Sequence, residues 1–217
     1  MFGHHWLNLS IQSPRLVFPV EVALIVSPKA NAAFTATLLV VGFVQIIPSL
    51  LSTVLFALVP GDEETLQHEV RKTMRICLLL SLASAPCFFI FSGFILRVFG
   101  ANYAVASLAM GFLGLNTYPG AIKSHYVAIE RVRGRMQTAV YWTLAGASLE
   151  IGLAAAGAAF YGLTGVSIGI LVALSAEAIF YSPTVFGVIR AHRPSGVGPI
   201  DEERTGEDMH PEDQNTL

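Results

Sequence analysis

The sequence is short of charge. Asp, Glu, Lys and Arg make up 13% of its 217 residues, whereas 53% are hydrophobic, and the mean hydropathy is +0.61. A soluble domain carries roughly 25% charged residues, so this composition excludes an ordinary soluble core and points to an integral membrane protein. Excess positive charge is also missing. The net charge of −2 excludes a broadly basic nucleic-acid binder, and no nucleic-acid partner is expected. Cysteine is nearly absent. Cys77 and Cys87 lie ten residues apart on one expected helix, about 15 Å along its axis. A disulfide needs Cα atoms within about 7 Å, so both are assigned to packing. The opening MFGHHW holds no Lys or Arg and no small-residue cleavage site, so no removable signal peptide is expected. Neither a Walker A loop nor GxSxG, HExxH, a DxD site or a cluster with metal-ligand spacing occurs. No enzyme activity, cofactor or metal is therefore expected.

What the sequence has is long apolar runs. Six are expected as transmembrane helices, at about residues 4–27, 32–59, 74–99, 103–118 with a continuation to 134, 138–160 and 166–189. A hydrocarbon core of about 30 Å needs about 20 helical residues per crossing. The fold class is thus all-α: a polytopic membrane protein with one six-helix bundle over residues 1–193. Residues 194–217 hold seven carboxylates against Arg204 alone and read as a disordered acidic cytoplasmic tail. Turns are expected at Pro28–Asn31, at Gly100–Asn102 and at Gly162–Gly165. Asp62 is the expected N-cap of a short polar helix before the third span. Lys and Arg divide ten to two between the two sides, with Arg15 inside the first helix. With six spans, that bias puts both termini in the cytoplasm of a cell-membrane protein.

The first run, HHWLNLSIQSPRLVFPVEVALIVS, is the least apolar of the six. At about 100° per residue, Asn8, Gln12, Arg15 and Pro19 share one stripe, while Glu21 lies about 120° from Arg15. Pro14 and Pro19 each remove a backbone donor and can kink the helix. Such a helix needs its polar side against protein or a water-filled cavity. Arg15, Gln12, Asn8 and Glu21 are therefore the candidate substrate-cavity residues. The competing readings are a helix lying flat on the membrane and an Arg15 paired for packing alone.

Two acids, Glu150 and Glu177, fall near the midpoints of the fifth and sixth spans. Each is either a coupling acid for a proton or cation, or a protonated carboxyl that hydrogen-bonds across helices. Glu150 shares a face with Thr143, Gly146, Ala154 and Gly157, and Glu177 with Ala173, Tyr181 and Thr184. Gly165-x-x-x-Gly169 and Ser148-x-x-x-Gly152-x-x-x-Ala156 allow close helix approach. Lys123, Arg131, Arg133 and Arg135 form a basic run just inside the membrane. It is expected to face lipid or substrate head groups, or to serve only as a positive-inside anchor.

Four segments, in this order and spacing, carry a family resemblance: SPKANAAFTATLLVVGFVQIIPSLLSTVLFALVPGDEETLQHEVRKTM, ILRVFGANYA, LNTYPGAIKSHYVAIERVRGR and GLTGVSIG. Together they resemble the C-terminal half of the polysaccharide-transporter branch of the multidrug/oligosaccharidyl-lipid/polysaccharide exporter superfamily. The resemblance spans roughly residues 4–193. It implies a flippase or exporter of lipid-linked oligosaccharide or polysaccharide that works by alternating access. Its partners would be the lipid bilayer, a lipid-linked sugar and a second six-helix bundle. Family members resemble one another in having two bundles around a cavity with cationic residues, and Arg15 is the residue that would match. This chain has one bundle, so it reads as a fragment, a subunit needing a separate first half, or a homodimer. The alternatives are half of a cation-coupled multidrug antiporter and a non-transporting remnant or scaffold.

Overall fold

The structure is a computed structural model that describes the backbone of residues 2–58 and 63–190, and side chains from 7 to 54 and from 64 to 190. Asp62 and the acidic tail lie outside the described residues. Every described element is helical. The chain runs through α1 (Phe2–Glu21), a π-turn (Val22–Val26), α2 (Pro28–Leu58), α3 (Glu63–Phe99), a 3-10 turn (Ala101–Ala106), α4 (Ser107–Leu115), α5 (Thr117–Val132) and α6 (Met136–Arg190). α6 leaves helical geometry at Tyr161 and Gly162, where Gly162 has φ +58°. That break divides it into two arms, residues 136–160 and 163–190. With α4 and α5 forming one bent rod, the described helices make six rods. The segments Leu7–Val26, Pro28–Val54, Glu64–Phe99 and Met136–Arg190 are long and apolar enough to cross a membrane, and Ala101–Leu115 is a shorter apolar segment.

Three expected boundaries move, each for a local reason. Pro28–Asn31 is not a turn. Ser27 has extended backbone and its Oγ accepts from the Ala30 N–H at 3.1 Å. It is the N-cap, and Pro28 takes the first helical position, where its missing N–H is not needed. One residue therefore separates the π-turn from α2. The expected short polar helix and third span are one helix, because nothing in HEVRKTMRICLLL interrupts helical hydrogen bonding. The fourth rod bends at Asn116, three residues before Pro119. Pro119 then falls in the first turn of α5, where helix donors are free anyway.

Hydroxyls lie close to two of the prolines inside α1 and α2. Pro14 leaves the Ser10 carbonyl without its helical donor, and the Ser13 hydroxyl donates to it at 3.2 Å. After Pro48, the hydroxyls of Ser49, Ser52 and Thr53 donate to backbone carbonyls within the same two turns.

Apart from a few buried polar groups the interior is small or apolar, and the outside is apolar too. Phe34, Leu96, Met110, Val166 and Ala154 are buried in one core cluster. Leu24, Phe94 and Phe160 stand outward at 82%, 73% and 80% exposure. Large exposed side chains of this kind recur along α2, α3 and α6, far beyond the isolated apolar patches of a soluble monomer. Cys77 is buried, but Cys87 faces outward, so the packing role assigned to Cys87 is corrected.

The two arms of α6 form an antiparallel hairpin in near backbone contact. A Cβ on Gly157 would lie 2.1 Å from the Gly165 carbonyl oxygen, and one on Gly169 would lie 2.2 Å from that of Leu153. The Gly165/Gly169 pair is thus the packing surface. Ser148, Gly152 and Ala156 all face outward, with nothing within 4 Å of a Gly152 Cβ. Only one face of the arm at residues 136–160 can meet its partner. Glu150, Thr143, Gly146 and Ala154 occupy it.

Candidate functional site

From Ser27, α1 and α2 part. α1 packs chiefly on α6 and α2 chiefly on α5, and a cavity of about 540 Å³ lies between them. The stripe on α1 is what turns toward it. Asn8, Gln12, Arg15 and Pro19 all line the cavity, with Gln45 and Ser49 facing them from α2. Arg15 Nη2 donates to Gln45 Oε1 at 3.2 Å, bridging the two helices. Leu38, Leu39, Leu113 and Ile170 make the apolar part of the wall. Glu21, offered by the sequence as a cavity residue, is not on this wall. It sits on another side of α1, as its angular offset from Arg15 requires, and its Oε2 is buried without a hydrogen-bond partner.

The basic run divides. Lys123 and Arg131 belong to the cavity wall rather than to a lipid-facing surface, because α5 turns Gly120, Lys123, Ser124, Val127 and Arg131 onto one face. Arg131 Nη2 donates to Asn8 Oδ1 at 2.9 Å, which ties the end of α5 to α1. Arg133 and Arg135, beyond the end of α5, are exposed. The lipid-facing part of the expectation is therefore corrected for Lys123 and Arg131.

At the cavity floor lies a charge cluster that the sequence reading missed. Lys123 Nζ is in contact with Glu150 Oε1 and is 2.9 Å from Glu177 Oε2. The three side chains are nearly fully buried, at 10%, 6% and 4% exposure. One cation therefore bridges two carboxylates, one from each arm of the α6 hairpin. Gly146 makes room for this, since a Cβ there would sit 2.4 Å from the Glu177 carboxyl carbon. The Tyr181 hydroxyl is 3.2 Å from Glu177 Oε2 and 3.1 Å from the Trp142 carbonyl oxygen, and its ring stacks on Tyr126 at 4.2 Å. Glu177 Oε1 is buried with no partner. A buried Lys–Glu pair is electrically balanced, but a Lys with two carboxylates carries one negative charge unless a proton joins it. Lys123 and Glu150 also line the cavity, so the cluster opens onto it. The signal for Lys123 was present in the sequence as the three-to-four-residue spacing of Gly120, Lys123, Val127 and Arg131. One lone base against two mid-span acids was a second clue.

His125 holds the neighbouring helix in place. Its Nδ1–H donates to the Ala121 carbonyl at 2.8 Å, and its Nε2 is 2.8 Å from Thr73 Oγ1 on α3. No group of His, Cys, Asp and Glu among the described residues could hold a metal ion. Comparison with protein-family models, curated proteins and solved structures gives no match.

Proposed function

We propose that this chain is one six-helix half of a membrane transporter that moves an anionic amphiphile, of the lipid-linked sugar class, across the cytoplasmic membrane. The observation that supports it most is the cavity between α1 and α2. Arg15 and Arg131 supply positive charge, Asn8, Gln12 and Gln45 supply hydrogen-bonding groups, and leucines supply an apolar wall. An anionic head group with sugars and a lipid tail has matching parts. The outward apolar side chains give the bundle its lipid-facing surface. In this reading a second bundle closes the open side of the cavity held between α1 and α2. Alternating access would rock the two bundles around the cavity, with no covalent chemistry.

Glu150 and Glu177 are the coupling groups in this reading. The proton stored at the Lys123 cluster balances its charge, and loss of that proton leaves a net negative charge beside the cavity. Lys123 is then drawn more strongly toward the carboxylates and is less available to an anion. A cation-coupled drug antiporter has weaker support, because Lys123 already occupies the place between the carboxylates that a metal cation would need.

Two experiments test the reading. Reporter fusions ending at Asn102 and Gly162 should report from outside the cell and one at Glu64 from inside; Asn102 or Gly162 found inside would end it. The second uses cells that produce the chain together with a candidate first bundle. In them, Arg15→Gln with Arg131→Gln should lower the appearance of lipid-linked sugar on the outer leaflet by roughly tenfold or more. That is the scale of one lost charge-assisted hydrogen bond. Unchanged flipping in the double variant would exclude the cavity as the anion's route.

A further inference from the structure

A second depression of about 480 Å³, which shares no lining residue with the cavity, lies between the start of α3 and the end of α6. Gln67, Arg71, Met74, Arg75 and Leu78 line it from one face of α3, and Phe186, Ile189 and Arg190 line it from α6, with Tyr118 from α5. The face on α3 changes character along its length. From Gln67 to Leu78 it runs about 16 Å; Gln67, Arg71 and Arg75 hold the end nearer the chain end of α6, with Met74 buried between the two arginines, and Leu78 lies toward the middle of the rod. Leu78 is 41% exposed at that apolar end.

The cations are not used up by the fold. Arg71 Nη2 and Gln67 Nε2 both donate to the Ile189 carbonyl, at 2.7 and 3.0 Å. They cap the negative end of the α6 dipole. Arg75 and Arg190 have no ion pair among the described residues. Two exposed guanidiniums and a third anchored one thus stand at one end of a groove whose other end is apolar. An acidic peptide would satisfy only the first end; an amphiphile with an anionic head satisfies both.

We propose that this groove binds an anionic phospholipid, with its phosphate among Arg71, Arg75 and Arg190 and an acyl chain over Leu78, Phe186 and Tyr118. Basic pockets between membrane helices on the cytoplasmic side recognise head groups in this way, and guanidinium forks match phosphate oxygens. The inference rests on the membrane reading of the chain but not on any transported substrate.

The test places the full chain in phosphatidylcholine vesicles containing a minor share of phosphatidylglycerol. Spin-labelled phosphatidylglycerol and spin-labelled phosphatidylcholine then report the lipid held at the protein. The unaltered chain should hold phosphatidylglycerol in preference. Arg75→Gln with Arg190→Gln should lower that preference by roughly fivefold per arginine, the scale of one cation at a membrane surface. Arg71 is left in place because it caps α6. Lys72→Gln, exposed and off the groove, should leave the preference unchanged. No preference in the unaltered chain, as expected if its own carboxylates at residues 201–213 fill the groove, would overturn the proposal. So would an equal fall with Lys72→Gln, or no fall in the double variant. Flotation of the vesicles separates the two claims: a chain that does not float with lipid fails the membrane reading, whereas one that floats without preference fails only this site.

Discussion

Replacing Lys123 by methionine will destabilise the bundle by about 3–5 kcal/mol, the range for breaking a buried ion pair from one side. The methionine fills much of the same space, so the loss is electrostatic rather than a cavity. Glu150 and Glu177 are left facing each other from the two arms of α6 with no counter-charge, at 6% and 4% exposure. The acid variants should behave differently. Glu177→Gln leaves Lys123 with Glu150 alone, a balanced pair, and should shift stability by less than half as much. The triple variant Lys123→Met, Glu150→Gln, Glu177→Gln removes every charge and should recover most of the loss, since a neutral replacement of a buried ionic group is often harmless. Thermal unfolding in detergent, followed by the fraction that stays monodisperse, reads all three. If Lys123→Met proves as stable as the parent, or the triple variant recovers nothing, the three groups do not form one electrostatic unit.

The second large effect lies along the hairpin. Gly165→Ala places a methyl group 2.0 Å from the Gly157 carbonyl oxygen and 2.7 Å from its carbon. Both are backbone atoms, so no rotamer change relieves the clash and the arms must move apart. Overpacking of this kind costs about 1–3 kcal/mol. Gly169→Ala meets the Leu153 carbonyl in the same way, at 2.2 Å. The two changes demand the same separation, so the double variant should lose less than the sum. Gly152→Ala is the control: a Cβ there meets nothing within 4 Å, and the change should be neutral or slightly stabilising through helix propensity. Separation of the arms also pulls Glu150 away from Glu177, so Gly165→Ala should loosen the hold of both carboxylates on Lys123 along with stability. Equal midpoints for Gly165→Ala and Gly152→Ala would show that the arms are not in backbone contact.

Much of the architecture was legible in the sequence because it follows from local rules. Apolar runs of helical length gave the rods. The stripe of Asn8, Gln12 and Arg15 on α1 needed only 100° per residue, and the structure turns it to the cavity. Gly165 and Gly169 were readable as an approach surface because a missing Cβ is a local fact. The same rule misled at Ser148, Gly152 and Ala156, which are equally small but face outward. Spacing says that a face is small; it does not say which face a neighbour meets.

The sequence by itself determined that this chain is helical, apolar inside and out, and polar along one side of its first helix. Those properties belong to hydrophobicity and to the 3.6-residue turn, which act within a single segment. Only the tertiary structure decided that Lys123 turns inward to two acids and that Arg131 reaches Asn8. Lys123 and Glu150 are 27 residues apart, and Lys123 and Glu177 are 54 apart. A charge's partner at that distance is set by how the rods pack, because burial makes an ion find whichever opposite charge the bundle brings within reach.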